Sequence, residues 1–327
     1  MTTDAHQFSL PDGADALAAA IRAEVGKAFI GQEDVLDAVM IALLAGGHVL
    51  LEGVPGLGKT LLVRALSQAL GCAHARVQFT PDLMPSDISG HAVFDPKQER
   101  FEIRRGPVFT NLLLADEINR APAKTQSALL EAMQEQQVTI EGNSFPLPPP
   151  FMCLATQNPL ELEGTYPLPE AQLDRFLLKV LIGYPSLVDE KRMVAAVSEG
   201  RTAADFDLSQ VAQVADPAAV LMLQRRAAAV RVDAAVLDYA VRIVAATRAW
   251  PGIALGAGPR GSIALVRAAR AQAMLEGRDF VVPDDVRGIA KPALRHRIAL
   301  APELQIEGQS ADDVLHALLA KVDAPRQ

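Results

Sequence analysis

The sequence predicts an α/β protein with a five-stranded parallel sheet, followed by a C-terminal all-helical domain. Three observations support this fold class. Short apolar runs alternate with helical segments over residues 1–185, which is the pattern of βαβ units. A glycine-rich segment at 53–60 joins one apolar run to a helix. Residues 186–327 are rich in Ala, Leu, Val and Arg, with helical spacing and few strand signals. We therefore predict two domains, 1–185 and 186–327.

Five apolar runs are the candidate strands of the sheet, at 49–51, 76–80, 111–116, 152–156 and 176–182. Two other segments, 90–105 and 138–147, have the pattern of exposed hairpins. The first alternates apolar and charged residues on either side of a turn at 95–97, and the second contains a Glu-Gly-Asn-Ser turn. Either hairpin could be an inert surface feature. The composition changes after Tyr184-Pro185, where we place the domain boundary.

Composition restricts where the protein acts and what it contacts. No apolar run reaches the roughly 18 residues of a membrane span, and the N-terminus lacks the pattern of a signal peptide. Cys72 and Cys153 both have apolar neighbours, which favours buried thiols over a disulfide or a metal site. We predict a cytoplasmic protein without a membrane span.

The formal net charge of −8 argues against broad electrostatic capture of nucleic acid. A local basic cluster is present at Lys97, Arg100, Arg104 and Arg105. The simpler interpretation of this cluster is the solvated face of the first hairpin. A nucleic-acid partner is therefore not expected.

Residues 53–60 match G-x-x-x-x-G-K-[ST] at every fixed position, and each fixed position has a physical role on a polyphosphate. The glycines Gly53, Gly56 and Gly58 allow backbone conformations that turn successive N–H groups inward as an anion nest. Lys59 brings a charge to the β- and γ-phosphates, and Thr60 offers a hydroxyl to Mg²⁺. The helix that follows directs the positive end of its dipole at the phosphates. The alternative, a glycine-rich turn with a chance Lys-Thr, does not explain the flanking strand and helix.

Two carboxylates, Asp116 and Glu117, end the apolar run at 111–116. At a strand end beside the phosphate loop, Asp116 can hold Mg²⁺ through water. Glu117 can polarise the attacking water as a general base. A strand that simply ends in solvated acids is the alternative, but the upstream phosphate loop favours ATP hydrolysis.

Three further polar residues are candidates for the same chemistry. Asn158 follows the apolar run at 152–156 and could bond the γ-phosphate or the attacking water, although, taken without its context, an Asn-Pro turn is the preferred explanation. Arg175 and Arg260 are candidates for stabilising the negative charge of phosphoryl transfer. Each could also be an ordinary surface arginine.

The order of these motifs resembles that of the AAA+ superfamily, and more narrowly that of a MoxR-type AAA+ ATPase in the helix-2-insert clade. The resemblance covers roughly residues 18–300 and rests on the segments 30–32, 53–60, 116–122, 125–134, 155–159, 164–176 and 294–297. The two hairpins match the helix-2 insert and the pre-sensor-1 hairpin of this clade.

The resemblance implies roles for the catalytic residues. Lys59 and Thr60 correspond to Walker A, and Asp116 and Glu117 to Walker B. Asn158 corresponds to sensor 1.

It also implies that Arg175 is an arginine finger for the ATP of a neighbouring subunit, and that Arg260 is sensor 2 in the lid, binding the γ-phosphate. Arg120 is a weaker candidate for a second contact across subunits. One departure stands at sensor 2, where Gly258 and Gly261 flank Pro-Arg in place of the more usual Ser and Ala. Because glycine costs order at a helix start, this departure puts the rigidity of the lid in question.

The resemblance extends the expected ATP-binding set beyond the fixed glycines and lysine. Phe29 and Ile30 would line the adenine pocket, and the remaining loop residues would contact the nucleotide. These are Val54, Pro55, Leu57 and Leu61. The implied cofactors are ATP and Mg²⁺.

The function that the resemblance implies is a remodelling ATPase, acting as a ring, expected to be a hexamer, on a partner protein. The family's partners are von Willebrand factor A domain proteins, often in maturing or inserting metal cofactors. Two alternatives stay open: a nucleic-acid motor of the related helicase clade, and an ATP-gated scaffold with negligible turnover. The second hairpin has no basic residue at Glu141-Gly-Asn-Ser144, which disfavours the motor.

Overall fold

The computed structural model describes residues 13–159, 164–198 and 208–325. The prediction that the N-terminus is not a signal peptide rests on the first residues of the chain, and residues 1–12 lie outside the described range. The strands are β1 Val49–Glu52, β2 His74–Gln78, β3 Gly90–Asp95, β4 Arg100–Arg105, β5 Leu112–Asp116, β6 Gln137–Ile140, β7 Asn143–Pro146, β8 Met152–Gln157, β9 Leu178–Leu181, β10 Ile253–Leu255 and β11 Ala299–Leu300.

The helices alternate with the strands in the first half of the chain and dominate the second half. They are α1 Ala14–Ala28, α2 Glu33–Leu44, α3 Lys59–Ala69, α4 Pro85–Ser89, α5 Ala123–Glu135, α6 Glu170–Leu173, α7 Leu187–Ser198, α8 Pro217–Ala229, α9 Ala234–Thr247, α10 Pro259–Leu275, α11 Pro283–Leu294, α12 Pro302–Ile306 and α13 Ala311–Leu319, with a 3₁₀ turn at Ile118–Arg120.

The five predicted strands form one sheet in the order β2–β5–β8–β1–β9, and every neighbouring pair is parallel. This confirms the predicted five-stranded parallel sheet. Because all five strands run the same way, the loops after β1, β5 and β8 meet at one edge of the sheet. The loops before β1 and β9 meet at the opposite edge. A crevice at the carboxyl edge is the usual ligand site of such sheets.

The central strands are apolar throughout because both faces of the sheet are covered by other elements. Alternate residues of β1 enter different hydrophobic clusters: Val49 and Leu51 lie in one, and Leu50 lies in the other. Residues of β5 divide in the same way, with Leu112 on one side and Leu113 on the other. The outer strand β2 is largely exposed, which explains its weaker apolar signal in the sequence.

Both predicted hairpins are present, as the antiparallel pairs β3–β4 and β6–β7. The first carries two exposed aromatic rings at its tip, Phe94 and Phe101, which face each other across the strands with their centroids 5.4 Å apart.

In the residues that the structure describes, the second half of the chain is helical from α7 to α13, apart from one short antiparallel pair, β10–β11. The expectation of an entirely helical domain therefore misses two strands, which are only three and two residues long. The predicted boundary at 185 falls between β9 and α7. One hydrophobic cluster nevertheless extends across it, from Leu43 of α2 to Leu223 of α8 and Leu265 of α10. In the described ranges, no helix has the length and hydrophobicity to cross a membrane.

Candidate functional site

The glycine loop joins the carboxyl end of β1 to the start of α3. Helix α3 begins at Lys59, and Gly58 immediately before it has a φ of +77°, a left-handed conformation that favours glycine. Gly53 is required for a different reason than the one predicted from sequence. Its φ is not positive, but a Cβ there would lie 2.5 Å from the carbonyl oxygen of Ile182. The loop is therefore packed against the chain that leaves β9.

The ammonium of Lys59 lies inside the loop, where its Nζ donates to the carbonyl oxygen of Gly53 at 2.5 Å. Burial lowers the pKa of Lys59, and the nearby carboxylates of Asp116, Glu117 and Glu52 oppose this shift. The side chain thus faces a group of negative charges and the space in front of the loop. A polyphosphate in this space would supply further anionic partners for the ammonium.

The two acidic residues after β5 are held by one hydroxyl from the neighbouring strand β8. Thr156 Oγ1 donates to Asp116 Oδ1 at 2.5 Å and accepts from the backbone N–H of Glu117 at 2.8 Å. The other oxygen of Asp116, Oδ2, accepts from Arg76 Nη2 at 2.6 Å. Glu117 itself has a φ of +56°, a strained conformation for a residue other than glycine. The turn after β5 is therefore a constrained one.

The carboxylate of Glu117 has two donors in its own chain. Glu117 Oε2 accepts from Gln78 Nε2 at 2.8 Å and from Arg120 Nη1 at 2.9 Å. Arg120, predicted from the resemblance as a possible contact across subunits, thus contacts the candidate base of its own chain. A water molecule activated by Oε2 must displace at least one of these donors, because a carboxylate oxygen has two acceptor directions.

These residues surround a pocket of about 380 Å³ at the carboxyl edge of the sheet. The pocket brings together most of the predicted site: Gly53, Pro55, Gly56, Gly58, Lys59, Thr60, Leu61, Asp116, Glu117 and Asn158. Thr60 and Asp116 offer oxygen atoms, the ligand type that Mg²⁺ requires, on the same cavity. The predicted residues therefore fit a magnesium–triphosphate ligand.

Four residues of the predicted ATP-binding set do not line this pocket: Phe29, Ile30, Val54 and Leu57. Phe29 and Leu57 are core residues, exposed by only 3% and 7%. The ring of Phe29 lies beneath the loop, since a Cβ on Gly58 would meet its Cε2 at 3.4 Å. Phe29 thus supports the loop from behind, and its predicted contact with adenine remains a prediction.

A second cleft, of about 390 Å³, lies at the opposite edge of the sheet. Gly46–His48, which precede β1, line this cleft together with four arginines: Arg175, Arg260, Arg267 and Arg297. We call it the arginine cleft. The phosphate loop lies at the carboxyl end of β1, and the arginine cleft lies at its amino end. The four-residue strand, about 13 Å long, therefore separates the phosphate loop from the arginine cleft.

Arg260 therefore does not lie where a lid arginine over the nucleotide of its own chain would be expected. Its Nη1 is 3.7 Å from Asp174 Oδ2 in the arginine cleft. The path of α10 explains this position. Arg267, two turns further along α10, donates to the carbonyl oxygens of Ala45 and Gly46, at 2.5 and 3.0 Å, and ties the helix to the loop before β1.

The glycines around Arg260 have distinct environments. Gly258 is the extended N-cap residue of α10, and a Cβ there would meet no atom within 4 Å. Gly261 is buried, and a Cβ there would lie 3.1 Å from Leu294 Cδ2 and 3.3 Å from the Cβ of Ala257. The second glycine thus permits close packing of α10 on α11, a role that the sequence alone did not indicate.

Sequence reasoning missed four residues of the pocket: Arg64 on α3, Arg76 and Gln78 on β2, and Thr156 on β8. The last three contact the acidic pair after β5. Thr156 ends the predicted run 152–156 and so carries the same sequence signal as Asn158, whereas Arg76 and Gln78 lie at the start and in the middle of the predicted run 76–80. Connecting these residues with the acidic pair requires knowing that β2 and β8 flank β5, which is a property of the sheet order.

The fold and this site define a P-loop ATPase of the AAA+ class: a five-stranded parallel sheet, a phosphate loop after β1, an Asp-Glu pair after β5 and a helical C-terminal part. Residues 48–178 match the ATPase family associated with various cellular activities (AAA), and residues 245–318 match the AAA lid domain.

Similar individual proteins identify the family within the AAA+ class. The chain is 44% identical to chaperone MoxR1 of Mycobacterium tuberculosis over 97% of this chain and 86% of that protein. It is 46% identical to the uncharacterised protein YeaC of Bacillus subtilis over 93% of each chain. A solved structure of a candidate ATPase from Cytophaga hutchinsonii superposes with a TM-score of 0.88 at 41% identity, covering 96% of both chains. The chain belongs to the MoxR family of AAA+ ATPases.

Proposed function

We propose that this protein binds ATP with Mg²⁺ and hydrolyses it to ADP and phosphate. The observation that carries the proposal is the convergence of Lys59, Thr60, Asp116, Glu117 and Asn158 on one pocket at the carboxyl edge of the sheet. Each has the chemical type that phosphoryl transfer to water requires, namely a cation, a hydroxyl and a carboxylate for the metal, a base and a polar amide.

In the proposed mechanism the loop N–H groups and Lys59 hold the β- and γ-phosphates. Thr60 and Asp116 would hold Mg²⁺, and the bound ion would neutralise charge on those phosphates. Glu117 accepts a proton from the attacking water as the water forms its bond to the γ-phosphorus, and ADP leaves. Asn158 orients the water or the γ-phosphate.

The arginine cleft supports a multi-subunit site. The length of β1 separates it from the phosphate loop of its own chain, so Arg175 and Arg260 serve the nucleotide of another chain in this proposal. Heterologous contacts of this kind close into rings, and a hexamer is the proposed assembly. The arginines would then meet the γ-phosphate charge across each interface.

The proposed task is chaperone-like remodelling of a partner protein in the cytoplasm. Support comes from the family, since one relative is named a chaperone. The proposed client is a von Willebrand factor A domain protein, whose metal centre or complex is assembled with the energy of ATP. The acidic net charge of −8 disfavours a nucleic-acid motor.

Substitution of Glu117 by Gln tests the hydrolysis step. The amide is nearly isosteric but is not a base, so we expect ATP binding to persist while phosphate release falls by about 10²-fold or more. Turnover should be measured at several protein concentrations beside a fluorescent-ATP titration. Unchanged turnover in this variant would refute Glu117 as the base. If subunits share the site, the specific activity should rise as the protein concentration increases through the range in which the chains associate. A specific activity that stays constant over this range would refute the shared site.

A further inference from the structure

We infer that Arg297 is a positioning residue for the arginine cleft: it fixes the backbone that carries Arg175 and the carboxylate that faces Arg260. The inference rests on the proposed function, in which these two arginines act on a neighbouring nucleotide. It adds a residue of the lid, outside the phosphate loop and the acidic pair, to the machinery of hydrolysis.

Arg175 lies on a short segment between α6 and β9. Among the residues that the structure describes, its Nε has no hydrogen-bond partner although the atom is buried. The direction of this guanidinium therefore depends on the backbone around it.

That backbone is held on both sides by Arg297, just after α11. Arg297 Nη2 donates to the carbonyl oxygens of Asp174 at 3.2 Å and Phe176 at 2.7 Å, and its Nη1 donates to that of Leu177 at 3.1 Å. Its Nη1 also donates to the carbonyl oxygen of Ala293 in α11. One guanidinium thus joins the helical part of the chain to the residues immediately before and after Arg175.

The same guanidinium orients the neighbouring carboxylate. Arg297 Nε donates to Asp174 Oδ1 at 2.7 Å, while Asp174 Oδ2 lies 3.7 Å from Arg260. Arg297 has only 4% of its side chain exposed, against 56% for Arg260. The buried arginine is therefore the fixed member of the group, and Arg260 is the member available to a ligand.

Lysine cannot replace this arrangement. A planar guanidinium has five donors with fixed directions, whereas an ammonium is a point charge with three. Arg297→Lys keeps the charge opposite Asp174 but cannot serve four carbonyls and a carboxylate with three donors. We expect ATP binding within about twofold of the unsubstituted protein and turnover reduced roughly 10²-fold, the scale associated with misplacing a catalytic group by about 1 Å.

Mixing experiments separate positioning from folding. In a 1:1 mixture, the Arg297→Lys chain supplies an intact phosphate-loop side and the Glu117→Gln chain supplies an intact arginine side. Random association pairs these two intact sides at about a quarter of the interfaces, which should restore turnover there. Arg175→Ala mixed with Glu117→Gln should be restored to the same extent. Full activity of Arg297→Lys alone, or rescue of Arg175→Ala without rescue of Arg297→Lys, would overturn the inference. Absence of rescue for Arg175→Ala would instead overturn the shared site itself.

Arg295→Gln is the matched control. Arg295 also joins the lid to the core, through Lys179 O at 3.2 Å and a bidentate pair with Asp312, but it does not contact the segment that carries Arg175. We expect a lower unfolding temperature with turnover within about threefold of the unsubstituted protein. A loss of turnover as large as that of Arg297→Lys would show that general loosening of the lid is responsible and would overturn the specific role.

Discussion

Acidification should destabilise this protein through a buried histidine directly before β1, well above the pH at which carboxylates titrate. His48 is 6% exposed and has both ring nitrogens engaged: Nδ1 accepts from the backbone N–H of Cys153 at 3.0 Å, and Nε2–H donates to the carbonyl oxygen of Met133 at 3.0 Å. The ring also packs edge-on against Phe151. Protonation of Nδ1 would place two donors face to face, so the folded state requires the neutral ring.

The size of the effect follows from the pKa. Burial lowers the pKa of His48 from 6.5 to about 4, against the smaller opposing effect of its bond to Met133. The unfolded chain therefore binds more protons than the folded chain between pH 6.5 and about 4, and stability falls as the pH is lowered through this window. At pH 5 the loss from this one group is ~2 kcal/mol relative to pH 8. His296, buried beside Arg297, has its pKa lowered in the same direction by burial and adds to the loss.

Urea unfolding between pH 5 and 8 measures this loss, with His48→Asn as the comparison. Asn retains an acceptor for the N–H of Cys153 but cannot titrate. We expect the variant to be less stable at pH 8 by ~1–3 kcal/mol, because the carbonyl of Met133 loses its donor. Its stability should then fall by ~2 kcal/mol less than that of the unsubstituted protein on going to pH 5. Parallel pH profiles for the two proteins would refute the assignment of the acid sensitivity to His48.

Two other substitutions test single contacts. Thr156→Val removes the hydroxyl that holds both acidic residues after β5, so turnover in a phosphate-release assay should fall at least tenfold while ATP binding is retained. Thr156→Ser keeps the hydroxyl and should remain active. Equal activity of the two variants would contradict this role. Gly261→Ala should lower the free energy of unfolding by ~1 kcal/mol, because overpacking against Leu294 outweighs the gain in helix propensity. Gly288→Ala, on the exposed face of α11, meets no neighbour and should raise the free energy of unfolding by a similar amount. Thermal unfolding of both would show opposite signs, and a stabilised Gly261→Ala would refute the packing argument.

The sequence predicted the sheet well because its central strands are buried on both faces, and their apolar runs have few alternative explanations. The outer strands were located less accurately. The run 76–80 became His74–Gln78, since pairing with β5 and not hydrophobicity sets the limits of an exposed strand. The run 176–182 became Leu178–Leu181, and the carbonyls of Phe176 and Leu177 are bonded to Arg297.

The phosphate loop and the acidic pair were predictable because consecutive residues carry them. Contacts between distant segments were not. Gln78 reaches Glu117 only because β2 lies beside β5, and nothing near Gln78 in the sequence reports that order. The location of Arg260 depends in the same way on the anchoring of α10 to Ala45 and Gly46.

The placement of the two clefts at opposite ends of β1 has a genetic consequence under the proposed assembly. Each chain then belongs to two active sites, one through its phosphate loop and one through its arginines. A copy that has lost Lys59 still supplies Arg175 to its neighbour, and a copy that has lost Arg175 still binds ATP. Two alleles damaged at different ends should therefore complement each other in one cell, whereas two alleles damaged at the same end should not.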